Sequence, residues 1–65
     1  MLYDIYDRYE GPSHYIATAI SQKQAENIMV DYFDETDGEA NLYAIRQDGK
    51  VFVLGDYETL EEVKQ

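Results

Sequence analysis

None of the 65 residues is cysteine. A chain this short buries only ~60% of the surface of its unfolded form, and domains of this size commonly lean on disulfides or thiolate zinc sites. Neither device is available here, so apolar patterning alone must hold whatever fold forms. The length admits one small domain, residues 1–65. Small secreted domains are usually disulfide-rich, so the missing cysteines point to a reducing, cytoplasmic setting. Met1-Leu2-Tyr3-Asp4 shows neither a basic n-region nor an apolar h-region, so no signal peptide is expected. The apolar run Val51-Phe52-Val53-Leu54 falls far short of the ~20 residues of a membrane span.

Fourteen carboxylates face five Lys and Arg side chains, a formal net charge of -9. Such a balance repels nucleic acid and anionic membranes, which removes both as expected direct partners. High charge on a short chain is also a signature of disorder. Against that stand 45% hydrophobic residues, 14% aromatics and a single proline, arranged with clear periodicity. A folded domain is the expectation.

The clearest element begins at Ser21, which with Gln24 forms a capping box. Ala25, Ile28, Met29 and Tyr32 follow at the spacing of one helix face, with Phe33 at its edge. The helix is expected from 22 to about 34, with Gly38 in the loop after it. Before it, residues 2–9 alternate as a strand: Tyr3, Ile5 and Tyr9 on one face with Asp7 the exception, and Asp4, Tyr6 and Arg8 on the other. The turn Glu10-Gly11-Pro12-Ser13 leads into a second strand, 14–20. A four-residue loop sets His14 opposite Tyr9, and Tyr3, Ile5, Ile16 and Ile20 form the buried face. After the helix, 41–47 and 50–54 flank Asp48-Gly49, a strong hairpin signal. A two-residue turn pairs Ile45 with Phe52 and Tyr43 with Leu54 as the apolar face. Thr59 and Glu62 form a second capping box, which marks a short terminal helix. The order is ββαββα: an α+β domain with an antiparallel sheet of two hairpins, one main helix on a face and a short C-terminal helix.

The charge is uneven. Between Lys23 and Arg46 there is no cation, and Asp31, Asp34, Glu35, Asp37 and Glu39 crowd into nine residues. They fall at the C-terminal end of the expected helix, where the dipole favours cations. Asp31 also has like-charge neighbours one turn on, at Asp34 and Glu35. A solvated, solubilising face is one reading of this run; a docking surface for a strongly basic partner is the other. A calcium loop is not expected. With Gly38 at the sixth position, Phe33 occupies the first and Ala44 the twelfth, where oxygen ligands are needed.

Catalytic signatures are missing: there is no P-loop, dinucleotide fingerprint, HExxH or CxxC. His14 beside Ser13 is poorly placed as a base and nucleophile pair, since consecutive strand residues point to opposite faces. The expectation is therefore no enzyme, no metal and no cofactor. Seven of nine aromatics are tyrosine. Tyr3, Tyr9, Tyr32 and Tyr43 are accounted for by the core or its margin. Tyr6 and Tyr15 share the outer face of the first hairpin with Asp4, Ala17 and Ala19. Tyrosine gives large contact area at low entropic cost, so this face is a second candidate interface, including for a homodimer.

Two functional readings follow. In the first, the chain is a small binding inhibitor that sets Asp31, Asp34, Glu35, Asp37 and Glu39, with support from Glu58, Glu61 and Glu62, against a basic, DNA- or RNA-handling protein. In size, charge and lack of catalytic residues the chain resembles small phage-encoded inhibitors of host defence, among them DNA mimics such as the uracil-DNA glycosylase inhibitors, and many anti-CRISPR proteins. The resemblance is one of type across the whole chain and not of motif, so it transfers no functional residues. In the second, the chain is a structural or regulatory module that works through Tyr6 and Tyr15, and the charge serves solubility.

Overall fold

Tyr3, Ile5 and Asp7 point the same way along strand β1 (Tyr3–Asp7), and all three are buried. A computed structural model describes residues 1–64 of the chain. In chain order β1 is followed by β2 (His14–Ala19), helix α1 (Gln22–Glu35), β3 (Leu42–Arg46), β4 (Val51–Gly55) and β5 (Thr59–Glu62). The strands form one antiparallel sheet in the order β2-β1-β3-β4-β5, with α1 packed on one face. The fold is α+β, as the patterning indicates. No described helix is long and apolar enough to cross a membrane.

Helix α1 forms as its capping signal dictates. The Ser21 hydroxyl accepts from the Gln24 amide at 3.1 Å, while the Gln24 side-chain oxygen accepts from the Ile20 amide at 2.7 Å. Ala25 and Met29 are fully buried, and Ile28, Tyr32 and Phe33 pack beside them. Across from them lie Ile5, Ala19, Ala44, Phe52 and Leu60. Three alanines at zero exposure, Ala19, Ala25 and Ala44, let the helix and sheet backbones approach closely.

The sequence does not reveal the register of either hairpin. The loop between β1 and β2 spans six residues, 8–13, and pairs Asp7, not Tyr9, with His14. An Asx turn is the cause: the Asp7 carboxylate accepts from the Tyr9 amide at 2.9 Å and draws the chain off the strand. A bulge between the Tyr6–Tyr15 and Ile5–Ala17 pairs then admits Ile16 as an extra residue. Ala17 opposite Ile5 and Ala19 opposite Tyr3 therefore lie on the helix side, not on the outer face with Tyr6 and Tyr15. Ile20, expected in the buried face, is 70% exposed at the turn into α1.

The β3–β4 loop holds three residues, not two. Gly49 donates to the Arg46 carbonyl at 2.7 Å and adopts φ +89°, the left-handed bulge position of a three-residue hairpin. Asp48 clamps the turn by taking both Arg46 Nε and Nη2, and this bond holds its pKa down at about 2. The pairing becomes Ala44 with Phe52 and Ile45 with Val51. A slip of one residue exchanges the two faces of a strand. Leu42, Ala44, Phe52 and Leu54 thus serve the core, and Tyr43, Ile45, Val51 and Val53 turn away from it.

The C-terminal segment is a strand and not the expected helix. A single helical turn nucleates poorly, whereas β4 offers a ready ladder. Leu60 sits opposite Leu54 and is buried, and its amide donates to the Glu26 carboxylate of α1 at 2.9 Å. These gains outweigh the Thr59–Glu62 capping box.

Asp7 is the one buried charged residue among the described residues. Its Oδ1 accepts from the amides of Tyr9 and Asn41, each at 2.9 Å, and its Oδ2 accepts from the Tyr32 hydroxyl at 3.1 Å. Burial pushes its carboxyl up, but the hydrogen bonds from Asn41, Tyr9 and Tyr32 outweigh burial and leave the pKa lowered. A lowered folded value contributes stability above the ordinary carboxylate pKa of ~3.9, and that stability is lost as pH falls through the folded value. Asp7→Ala strands three donors and is expected to cost about 2–4 kcal/mol in urea denaturation at pH 7. Asp7→Asn keeps the two amide bonds and should cost less. The gap between wild type and Asp7→Asn should narrow as the denaturation is repeated at lower pH, below the folded value.

Candidate functional site

Helix α1 ends against its own charge. Its last turn carries no basic residue, and Asp31, Asp34, Glu35, Asp37 and Glu39 are all exposed. Among the described residues the only salt bridges are Arg46–Asp48 and Lys50–Glu62, so none of these five carboxylates is paired with a cation. The helix end is closed by other means. The Thr36 hydroxyl donates to the Tyr32 and Phe33 carbonyls at 3.1 Å, and the Gly38 amide donates to the Phe33 carbonyl at 2.9 Å. Gly38 sits at φ +78° with the Phe33 ring 3.3 Å from where a Cβ would stand, so only glycine fits without displacing that ring.

Tyr57 occupies the β4–β5 turn beside this helix end. Asp56 and Tyr57 have φ of +52° and +62°, the two left-handed positions of a type I′ turn closed by the Glu58 amide on the Gly55 carbonyl. Asn-Gly suits such a turn; tyrosine in the left-handed region costs on the order of 1–2 kcal/mol. The strain holds a 68% exposed ring against Phe33, with ring centroids 5.3 Å apart. Phe33, Asp34, Asp37, Gly38 and Tyr57 line a shallow depression of about 420 Å³. The acidic surface continues past Glu39 to the β1–β2 loop, where Glu10 and then Glu39 push the Tyr9 hydroxyl pKa up.

The carboxylates singled out from sequence do not all gather here. Asp34 and Asp37 share the depression, Asp31 and Glu35 belong to the same end of α1, and Glu39 follows in the next loop. Glu58 adjoins Tyr57 in the turn. Glu61 and Glu62 belong to β5, where Glu61 lies against Gly55 and Glu62 approaches Lys50 at 4.0 Å. Among the described residues no three His, Cys, Asp or Glu side chains converge to hold a metal. The Ser13 hydroxyl accepts from Tyr43 at 2.7 Å.

Among the described residues no second layer covers the face of the sheet opposite α1. Tyr15, Tyr6 and Tyr43 form a row across β2, β1 and β3: Tyr6 meets Tyr15 edge-on at 5.9 Å and stacks on Tyr43 at 5.4 Å. Tyr15 and Thr18 are hydrogen-bonded at 2.6 Å and Thr18 reaches Asp4 at 2.7 Å, which the bulge permits by bringing residues 15 and 18 to one face. Arg8 lies over the Tyr43 ring at 5.3 Å. Beyond Tyr43 a groove of about 750 Å³ runs past Arg8, Lys50, Val51, Val53, Glu62, Val63 and Lys64. Sequence reasoning found Tyr6 and Tyr15 on this face but set Tyr43 and Ile45 on the core face. The available signal was the shared spacing of Leu42 and Ala44 with Phe52 and Leu54, which leaves the β-branched set for the other side.

No family model, no curated protein and no solved structure matches the chain. The surfaces themselves therefore carry the functional reading.

The helix-end arrangement has a thermodynamic signature. Asp34→Lys places a cation at the negative end of the dipole and removes a like-charge neighbour of Asp31, so it is expected to raise stability by roughly 0.3–1 kcal/mol in urea denaturation at low salt. The gain should shrink as salt rises.

Proposed function

We propose that the protein is a non-catalytic binding domain that presents the acidic end of α1 to a basic partner protein. The supporting observation is the pairing of two costs at one place. Five exposed, unpaired carboxylates sit where the helix dipole disfavours them, and beside them a left-handed turn displays Tyr57. Sites that break local rules without an evident structural return tend to be functional. An aromatic ring set among carboxylates suits a Lys- or Arg-rich surface, since the ring takes a cation over its face while the carboxylates take the others. Grooves that bind nucleic acid have this basic character, so a DNA- or RNA-handling protein is the class of partner proposed, and occupying its groove would inhibit it. Long-range attraction would speed the encounter and make it salt-dependent.

The test uses a tagged chain and the proteins it retains from cells of its source. Basic nucleic-acid-handling proteins should be recovered at low salt and lost at moderate salt. Asp34→Lys with Asp37→Asn should abolish recovery; asparagine at 37 keeps a residue suited to φ +54°. Tyr57→Gly relieves the left-handed strain, so stability should stay within about 1 kcal/mol of the parent while binding falls. Full binding by both variants would overturn the reading.

A further inference from the structure

The groove on the open face reverses the character of the rest of the molecule. The chain has five Lys and Arg residues, and three of them, Arg8, Lys50 and Lys64, line this one groove. With Glu62 as its only carboxylate the groove carries a net +2, so the remainder of the chain carries −11 of the total −9. Its floor is apolar, made by the Tyr43 ring and the side chains of Val51, Val53 and Val63. A volume of about 750 Å³ lies within the ~300–1,000 Å³ range of small-ligand sites, which combine apolar lining with a few charged groups.

The choice of occupant follows from charge and size. A polyanion such as nucleic acid or an anionic membrane would extend past the groove and meet the carboxylates of a body only 29 × 23 × 21 Å across. A small monoanion inside the groove would not, because exposed charges further than the ~8 Å physiological Debye length are largely screened. The stacked Tyr6–Tyr43 pair and the Arg8 guanidinium over Tyr43 also leave those ring faces unavailable to bases.

We propose that this groove binds a free, small amphipathic carboxylate, whose apolar chain lies on Val51, Val53 and Val63 while its carboxylate is held by the rim cations. Lys50 lies 4.0 Å from the Glu62 carboxylate, a loose pairing that a bound carboxylate can replace. The site is distinct from the acidic end of α1, and either can fail without the other.

The experiment is a methyl and amide NMR titration with decanoate below its micelle concentration, with decyltrimethylammonium as the charge-reversed probe. Decanoate should shift the resonances of Val51, Val53 and Val63, and the cation should bind about tenfold more weakly or not at all. Arg8→Glu with Lys64→Glu should weaken decanoate about tenfold with an unchanged amide spectrum elsewhere. Absence of decanoate binding, shifts centred outside the groove, equal binding of both probes, or full affinity in the double variant would each overturn the proposal. Co-sedimentation with phosphatidylglycerol vesicles at physiological salt would overturn it too, because the ligand would then be a lipid surface.

Discussion

The Asp7 carboxylate is the point on which the arrangement of the elements depends. It lies at the end of β1, which pairs with both β2 and β3, and each of its bonds fixes a different piece of chain: the loop leaving β1, the helix through Tyr32, and the connection into β3 through Asn41. Removing a carboxylate from water is costly, and three donors offset that cost only if all three are held in place together. Among the described residues no buried side-chain nitrogen or oxygen lacks a partner, so Asp7 is not a flaw in the core. It specifies one register for β1 against its surroundings.

How much of this could be read from the residues depended on whether the signal was local. Ser21 and Gln24 cap a helix whose buried stripe is the periodic one, because capping and helix periodicity act over three or four residues. The hairpins were visible as hairpins, but their registers were not. Asp48-Gly49 is compatible with a two-residue turn and with a three-residue turn closed by a left-handed glycine, and the choice decides whether Tyr43 and Ile45 or Leu42 and Ala44 share the core face with Phe52 and Leu54. The six-residue first loop depended on Asp7 acting as an acceptor, a role set by Tyr32 and Asn41 from far along the chain. At the C-terminus a local capping signal lost to ladder pairing with β4 and burial of Leu60, both tertiary gains.

The candidate site divides the same way. That Asp31, Asp34, Glu35, Asp37 and Glu39 crowd one helix end follows from their sequence positions. That Tyr57 joins them depends on a turn between β4 and β5, and that Glu61 and Glu62 lie elsewhere depends on β5 being a strand. Charge in this protein is thus unevenly sorted: the end of α1 holds five unpaired carboxylates, and a groove on the open sheet face holds three of the five cations over an apolar floor.

The seam between β1 and β3 has a consequence for the entropy of closing the sheet. Strands β1–β2 and β3–β4–β5 are joined by short loops, whereas Asp7 pairs with Leu42 and Tyr3 with Arg46, residues 35 and 43 positions apart. Loop closure over that distance carries a larger entropy loss than the tight turns do, though the loss grows only as the logarithm of length. The two hairpin units and the capped helix rest on nearby contacts, whereas the seam rests on distant ones. With the helix between the halves in sequence, the β1–β3 ladder is the most non-local pairing in the sheet, and its closure carries the largest loop entropy.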